Sequence, residues 1–111
     1  MPTLILQGKS GEKYSGFEIF EKNDDDILEC GAIYVFLHKK ENNKYQILYI
    51  GQSKNPERRM SDHEKWPCVT RHGCTHIAIK KTPGGKTVRC NIEKDLIQYY
   101  NPPCNKQLVC N

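Results

Sequence analysis

Five side chains in this sequence could do proton transfer, anion pairing or cation binding if the fold brings them together. They are Tyr34, Tyr49, Arg59, His63 and Glu93. Ala32–His38 reads as a strand, Asn42-Asn43 as a turn pair, and Tyr45–Gly51 as the returning strand. With a two-residue turn, Phe36 faces Tyr49 and Tyr34 faces Gly51. Side chains alternate along a strand, so Tyr34, Phe36 and Tyr49 then share one face. A turn longer by one residue would spoil that parity. Half-buried tyrosines are ordinary in strands, and the pair gains meaning only from its neighbours.

Arg59 and His63 stand four apart, on one face of a predicted helix. That helix starts at Asn55-Pro56-Glu57, where Asn caps, Pro fits the first turn and Glu meets the positive dipole end. It is expected to run to about Trp66 and stop at Pro67. It leaves directly from the strand carrying Tyr49, so Arg59 and His63 can reach toward the phenols. A second helix is predicted over Lys86–Tyr100, with an apolar stripe of Val88, Ile92, Leu96 and Tyr99/Tyr100. Glu93 sits beside that stripe. A carboxylate there needs a partner, such as Arg89 or Lys94, or a hard cation such as Mg²⁺.

The elements that must hold these groups give an α+β fold. A small antiparallel sheet of three core strands (Ala32–His38, Tyr45–Gly51, Thr75–Lys80) carries an N-terminal hairpin (Thr3–Gln7, Tyr14–Phe20) and is flanked by helices. Residues 1–30 are expected to form the hairpin extension with its acidic loop Asn23–Asp26, and residues 31–111 the body of one compact domain. The 111 residues carry a net charge of +4, unevenly placed. Three lysines face seven acids in residues 1–30, against fourteen basic and six acidic residues beyond. A basic body suits a polyanion. The apolar run Gly31–Leu37 is far too short to span a bilayer, and Met1–Gln7 has neither the basic start nor the apolar length of a signal peptide. A cytoplasmic protein without a membrane role is expected, its six cysteines reduced. The spacings Cys68-x5-Cys74 and Cys104-x5-Cys110, near His72 and His76, are wide for a structural zinc site.

Ile33-Tyr34 followed by Tyr49-Ile50-Gly51 resembles the paired motif of the GIY-YIG nucleases. The resemblance continues through Gly51-Gln-Ser-Lys-Asn55, Arg59, His63, Glu93 and Asn101-Pro-Pro-Cys-Asn105, covering about residues 31–105. Ala32 stands where the family usually has glycine, and the interval between the tyrosines is long. The resemblance implies a GIY-YIG-like fold and hydrolysis of DNA phosphodiesters with one metal, Mg²⁺ or Mn²⁺, held by Glu93. Arg59 would pair with the phosphate, and Tyr34 would act as base with Tyr49 as its partner. His63 would relay a proton or hold a tyrosine, and Gly51 and Asn105 would support the site. Gln52, Ser53, Lys54, Arg58, Lys39, Lys40 and Lys44 would contact DNA. Repair or restriction would be the setting, and a larger protein partner could recruit the chain. The alternatives are a non-catalytic nucleic-acid-binding or interaction module on the same fold, and a structural zinc protein.

Overall fold

Runs of β-branched and aromatic residues, broken by Gly, Asn and Pro, set out the strands. The computed structural model describes residues 3–21, 31–54 and 65–105. These form β1 (Thr3–Gln7), β2 (Lys13–Glu21), β3 (Ala32–Lys39), β4 (Tyr45–Ser53), α1 (Trp66–Arg71), β5 (His76–Lys81) and α2 (Lys86–Tyr100). The strands make one antiparallel sheet of order β1-β2-β5-β3-β4. The class is α+β, as the sequence indicates, with one correction to the grouping. β2 pairs with β5 from Glu18 to Glu21, so the hairpin continues the sheet and is not appended to a three-stranded one. No helix among the described residues is long and apolar enough to cross a membrane.

The sheet has a core on each face. Tyr34 and Phe36 of β3 point to one, with Phe20, Leu48, Ile77, Ile79 and Val69 of α1. Ile33, Val35 and Leu37 point to the other, with Ile50, Ala78 and Leu96 and Ile97 of α2. That is why β3 is apolar at nearly every position: Ala32 through Leu37 are all buried.

The β3–β4 hairpin reaches the predicted pairing by a different route. Phe36 pairs with Tyr49 and Tyr34 with Gly51, as expected. The turn, however, is longer by one residue. Lys40 N–H donates to Lys44 C=O at 2.8 Å, and Asn43 takes φ 64°. This is a three-residue loop closed by a left-handed asparagine. A bulge in β4, between the pairs Phe36–Tyr49 and Leu37–Ile47, restores the parity. Leu48 is the extra residue, and it is fully buried.

Two further expectations change. Pro67, expected as a stop, lies in the first turn of α1, where its missing N–H costs nothing; the helix expected from Asn55 lies mostly outside the described residues. The thiols are not all reduced: Cys68 and Cys104 form a disulfide, and Cys90 is disulfide-bonded as well. Cys74 is buried, and its Sγ donates to His76 C=O. The first pairing links residues 36 apart, because the chain after α2 is drawn onto β4 beside α1. Helix α2 stops where Asn101 takes a left-handed conformation, its N–H bonded to Ile97 C=O, just before Pro102.

Asp95 of α2 fastens the first hairpin. Its carboxylate accepts hydrogen bonds from Ser10 N–H (2.9 Å), Ser10 Oγ (2.6 Å) and Tyr14 Oη (2.7 Å). Burial alone would raise the Asp95 pKa, but the bonds from Ser10, Tyr14 and Lys9 outweigh it and lower the value. Tyr14 is pushed up to about 12, by burial first and then by its bond to Asp95. The Asp95 contribution is present above the ordinary carboxylate range and lost as pH falls through its lowered value. The Tyr14 contribution is present below the ordinary phenol value and lost as pH rises toward about 12. Asp95→Ala is expected to destabilise the fold by about 1–2 kcal/mol at neutral pH, the exposed Ser10 arm being screened by solvent. Denaturant titrations check this, and the gap from wild type should shrink in acid.

Candidate active site

β3 and β4 place the two tyrosines together. The rings of Tyr34 and Tyr49 have centroids 6.2 Å apart, and both contact Phe36, at 5.7 and 5.9 Å. Trp66, at the start of α1, packs on Phe36 at 4.8 Å and backs this aromatic wall. Tyr34 is 1% exposed, whereas Tyr49 is half-buried. The Tyr34 ring lies across Gly51: a Cβ there would come 2.5 Å from its Oη and Cζ. Glycine is therefore required at this strand position to admit the phenol.

Helix α2 packs Leu96 and Ile97 into the second core and buries Arg89 and Glu93, one turn apart. The inward face is rotated from the predicted stripe. Val88 and Tyr99 are exposed, and Arg89, Glu93, Leu96 and Ile97 are buried. Arg89 does not pair with Glu93. Its Nε–H donates to Gln52 Oε1 at 2.9 Å, and its Nη1 lies 2.7 Å from where a Gly31 Cβ would be. Gly31 thus leaves room for the guanidinium, which explains a glycine one residue ahead of its usual place in the motif.

Glu93 is 7% exposed. Among the described residues, no hydrogen bond or ion pair to its carboxylate is observed. Burial raises its pKa to about 7, against a smaller lowering by Lys94. Such a group is neutral in mild acid and becomes an anion near neutrality. A lone buried carboxylate is a hard oxygen donor, and it fits a divalent cation that completes its shell with water and phosphate oxygens.

Asn105 reaches the outer edge of β4. Its Oδ1 accepts from Ile50 N–H at 2.8 Å, and its Nδ2 donates to Ile50 C=O at 2.9 Å. Gln52 and Ser53 are half-buried at the end of β4, with Lys54 exposed beside them. Lys39, Lys40 and Lys44 are exposed at the opposite end, by the turn. Lys39 and Ser53 are separated by nearly the whole hairpin, which at the usual rise per residue is about 23 Å. The basic residues proposed from sequence therefore form two groups. Arg58, Arg59 and His63 lie outside the described residues.

Sequence reasoning missed the Arg89–Gln52 bond. The available signal was the placement of Arg89 four residues before Glu93, which puts both on one helix face.

The profile of the GIY-YIG catalytic domain matches residues 30–107. That span holds the tyrosine hairpin, α1, β5, α2 and the Asn105 clamp. No curated protein and no solved structure matches the chain significantly. On the profile match, which covers most of its length, the chain belongs to the GIY-YIG family.

Proposed function

We propose that the chain is a DNA endonuclease that hydrolyses phosphodiester bonds with one divalent cation, Mg²⁺ or Mn²⁺. The observation that carries this reading is Glu93: a buried carboxylate, unpaired among the described residues, on the inward face of α2 within a GIY-YIG domain. Glu93 would hold the cation, which when bound neutralises charge on the scissile phosphate.

The chain's own groups take the remaining roles. Tyr49, the more exposed phenol, holds the attacking water. Tyr34 takes its proton. A free phenol titrates near ~10, so it acts as a base at neutral pH only with a cation nearby to favour phenolate. Arg59 is assigned that place, together with contact to a phosphate oxygen pair. His63 passes the proton on to solvent. Arg89 positions Gln52, whose backbone neighbours Gly51 and the Tyr34 ring. Lys54 and Arg58 contact the DNA backbone near the site, and Lys39, Lys40 and Lys44 contact it further along.

A plasmid-nicking assay with Mg²⁺ tests the reading. Wild type is expected to cut, and Glu93→Gln and Tyr34→Phe are not; equal cutting by all three would overturn the proposal. Glu93→Gln has a second consequence. Because the Glu93 pKa is raised to about 7, its contribution to stability falls as pH rises from the ordinary carboxylate range to that value. The glutamine variant should therefore melt higher than wild type at pH above about 7 while losing cleavage. Wild-type affinity for Mg²⁺ should rise by about tenfold per pH unit below that value and level off above it.

Gly51→Ala provides an independent check. The added methyl must displace the buried Tyr34 ring, at a cost of about 1–3 kcal/mol. Thermal melts should show the loss. Cleavage should fall further than instability explains, when measured well below the melting point.

A further inference from the structure

The sulfur atoms of Cys68 and Cys104 and a ring nitrogen of His72 all lie within 4.8 Å of one another. Cys68 and His72 are one turn apart, His72 being the residue that caps α1, with its N–H on Cys68 C=O. Cys104 arrives from the other end of the domain, fixed by its N–H bond to Leu48 C=O at 2.9 Å. The donors come from one member of each of the two cysteine pairs in the sequence, together with His72. Among the described residues the other candidates are committed elsewhere: Cys74 Sγ donates to His76 C=O, and a His76 ring nitrogen contacts Thr75 Oγ1 at 2.8 Å.

We propose that Cys68, His72 and Cys104 form a redox-gated zinc site, closed as a disulfide under oxidising conditions and able to bind Zn²⁺ once reduced. Two thiolates and an imidazole are a soft donor set that favours zinc over the hard cation assigned to Glu93. In a tetrahedral shell with ~2.3 Å Zn–S bonds, the sulfurs stand roughly 3.7 Å apart. The Cα atoms, 5.9 Å apart, and the nearby imidazole allow that opening with small side-chain rotations. The fourth position is left to water. A small-molecule dithiol supplies two electrons and two protons, breaking the S–S bond to two thiols and becoming a cyclic disulfide itself. Zn²⁺ then displaces the two thiol protons to solvent.

The site adjoins the candidate active site through two short links. Cys104 precedes Asn105, the clamp on Ile50, and Cys68 follows Trp66, which backs the tyrosine wall. Zinc or disulfide would each keep α1 tied to β4, in a reducing and an oxidising setting respectively.

The test is metal binding by the full chain without DNA, so its outcome is independent of cleavage. Co²⁺ serves as a spectroscopic probe, and Zn²⁺ affinity is read by competition with a chromophoric chelator. Reduced wild type is expected to bind one equivalent, with a thiolate-to-cobalt charge-transfer band and tetrahedral d–d bands, and the oxidised chain to lack both. His72→Ala leaves the disulfide and the fold in place, since His72 is exposed. This variant should lose about tenfold or more in Zn²⁺ affinity when reduced. Cys68→Ser should abolish the charge-transfer band, and Cys74→Ser should leave it unchanged. Equal binding by oxidised and reduced chains, or unchanged affinity in His72→Ala, would overturn the proposal.

Discussion

The outer edge of β4 is where the described structure is held together. An edge strand offers unpaired backbone groups, and here three of them are taken by the chain returning from α2. Ile50 exchanges two hydrogen bonds with the Asn105 amide, and Leu48 C=O accepts from Cys104 N–H. A side-chain amide does here what another strand would do. From this capture follow the position of Cys104, its bond to Cys68, the seating of α1 and the backing of the tyrosine wall by Trp66. A break at this edge would loosen the tie between β4 and α1.

The two faces carry different chemistry. One presents phenols over an aromatic base, and the other takes the apolar side of α2 through Leu96 and Ile97. Gly51 and Gln52 join them. Consecutive residues of a strand point to opposite faces, so one admits the Tyr34 ring and the other accepts the Arg89 hydrogen bond. The end of β4 thus meets the Tyr34 ring and the Arg89 guanidinium through adjacent residues.

Much of this could be read from residues, and the failures have physical causes. Strand identities and the span Lys86–Tyr100 follow from periodicity and from Asn101-Pro102. The alignment of Tyr34 with Gly51 was expected from a turn the protein does not use, and it holds because the extra turn residue on the β3 side is offset by the extra bulge residue in β4. Local signals cannot reveal a bulge whose cause is the core that holds Leu48. Pro67 was read as a stop because proline is ambiguous at a helix boundary: it both ends helices and begins them. The α2 stripe was drawn through Val88 because hydrophobicity is weighed by residue type. Arg89 and Glu93 are buried by the hydrogen bond one makes and the position the other holds, which type alone does not disclose. The cysteines were judged by expected compartment, whereas their pairing depends on the tertiary return to β4. Arg58, Arg59 and His63 rest on sequence alone.

The matched loop and bulge have a further consequence for how this hairpin tolerates change. Leu48 absorbs the extra residue of the turn before the register reaches Tyr49. A one-residue change at the Glu41–Asn43 tip, with no matching change at the bulge, would therefore slip Tyr49 against Phe36. The phenols thus keep their alignment only while the loop and the bulge stay matched.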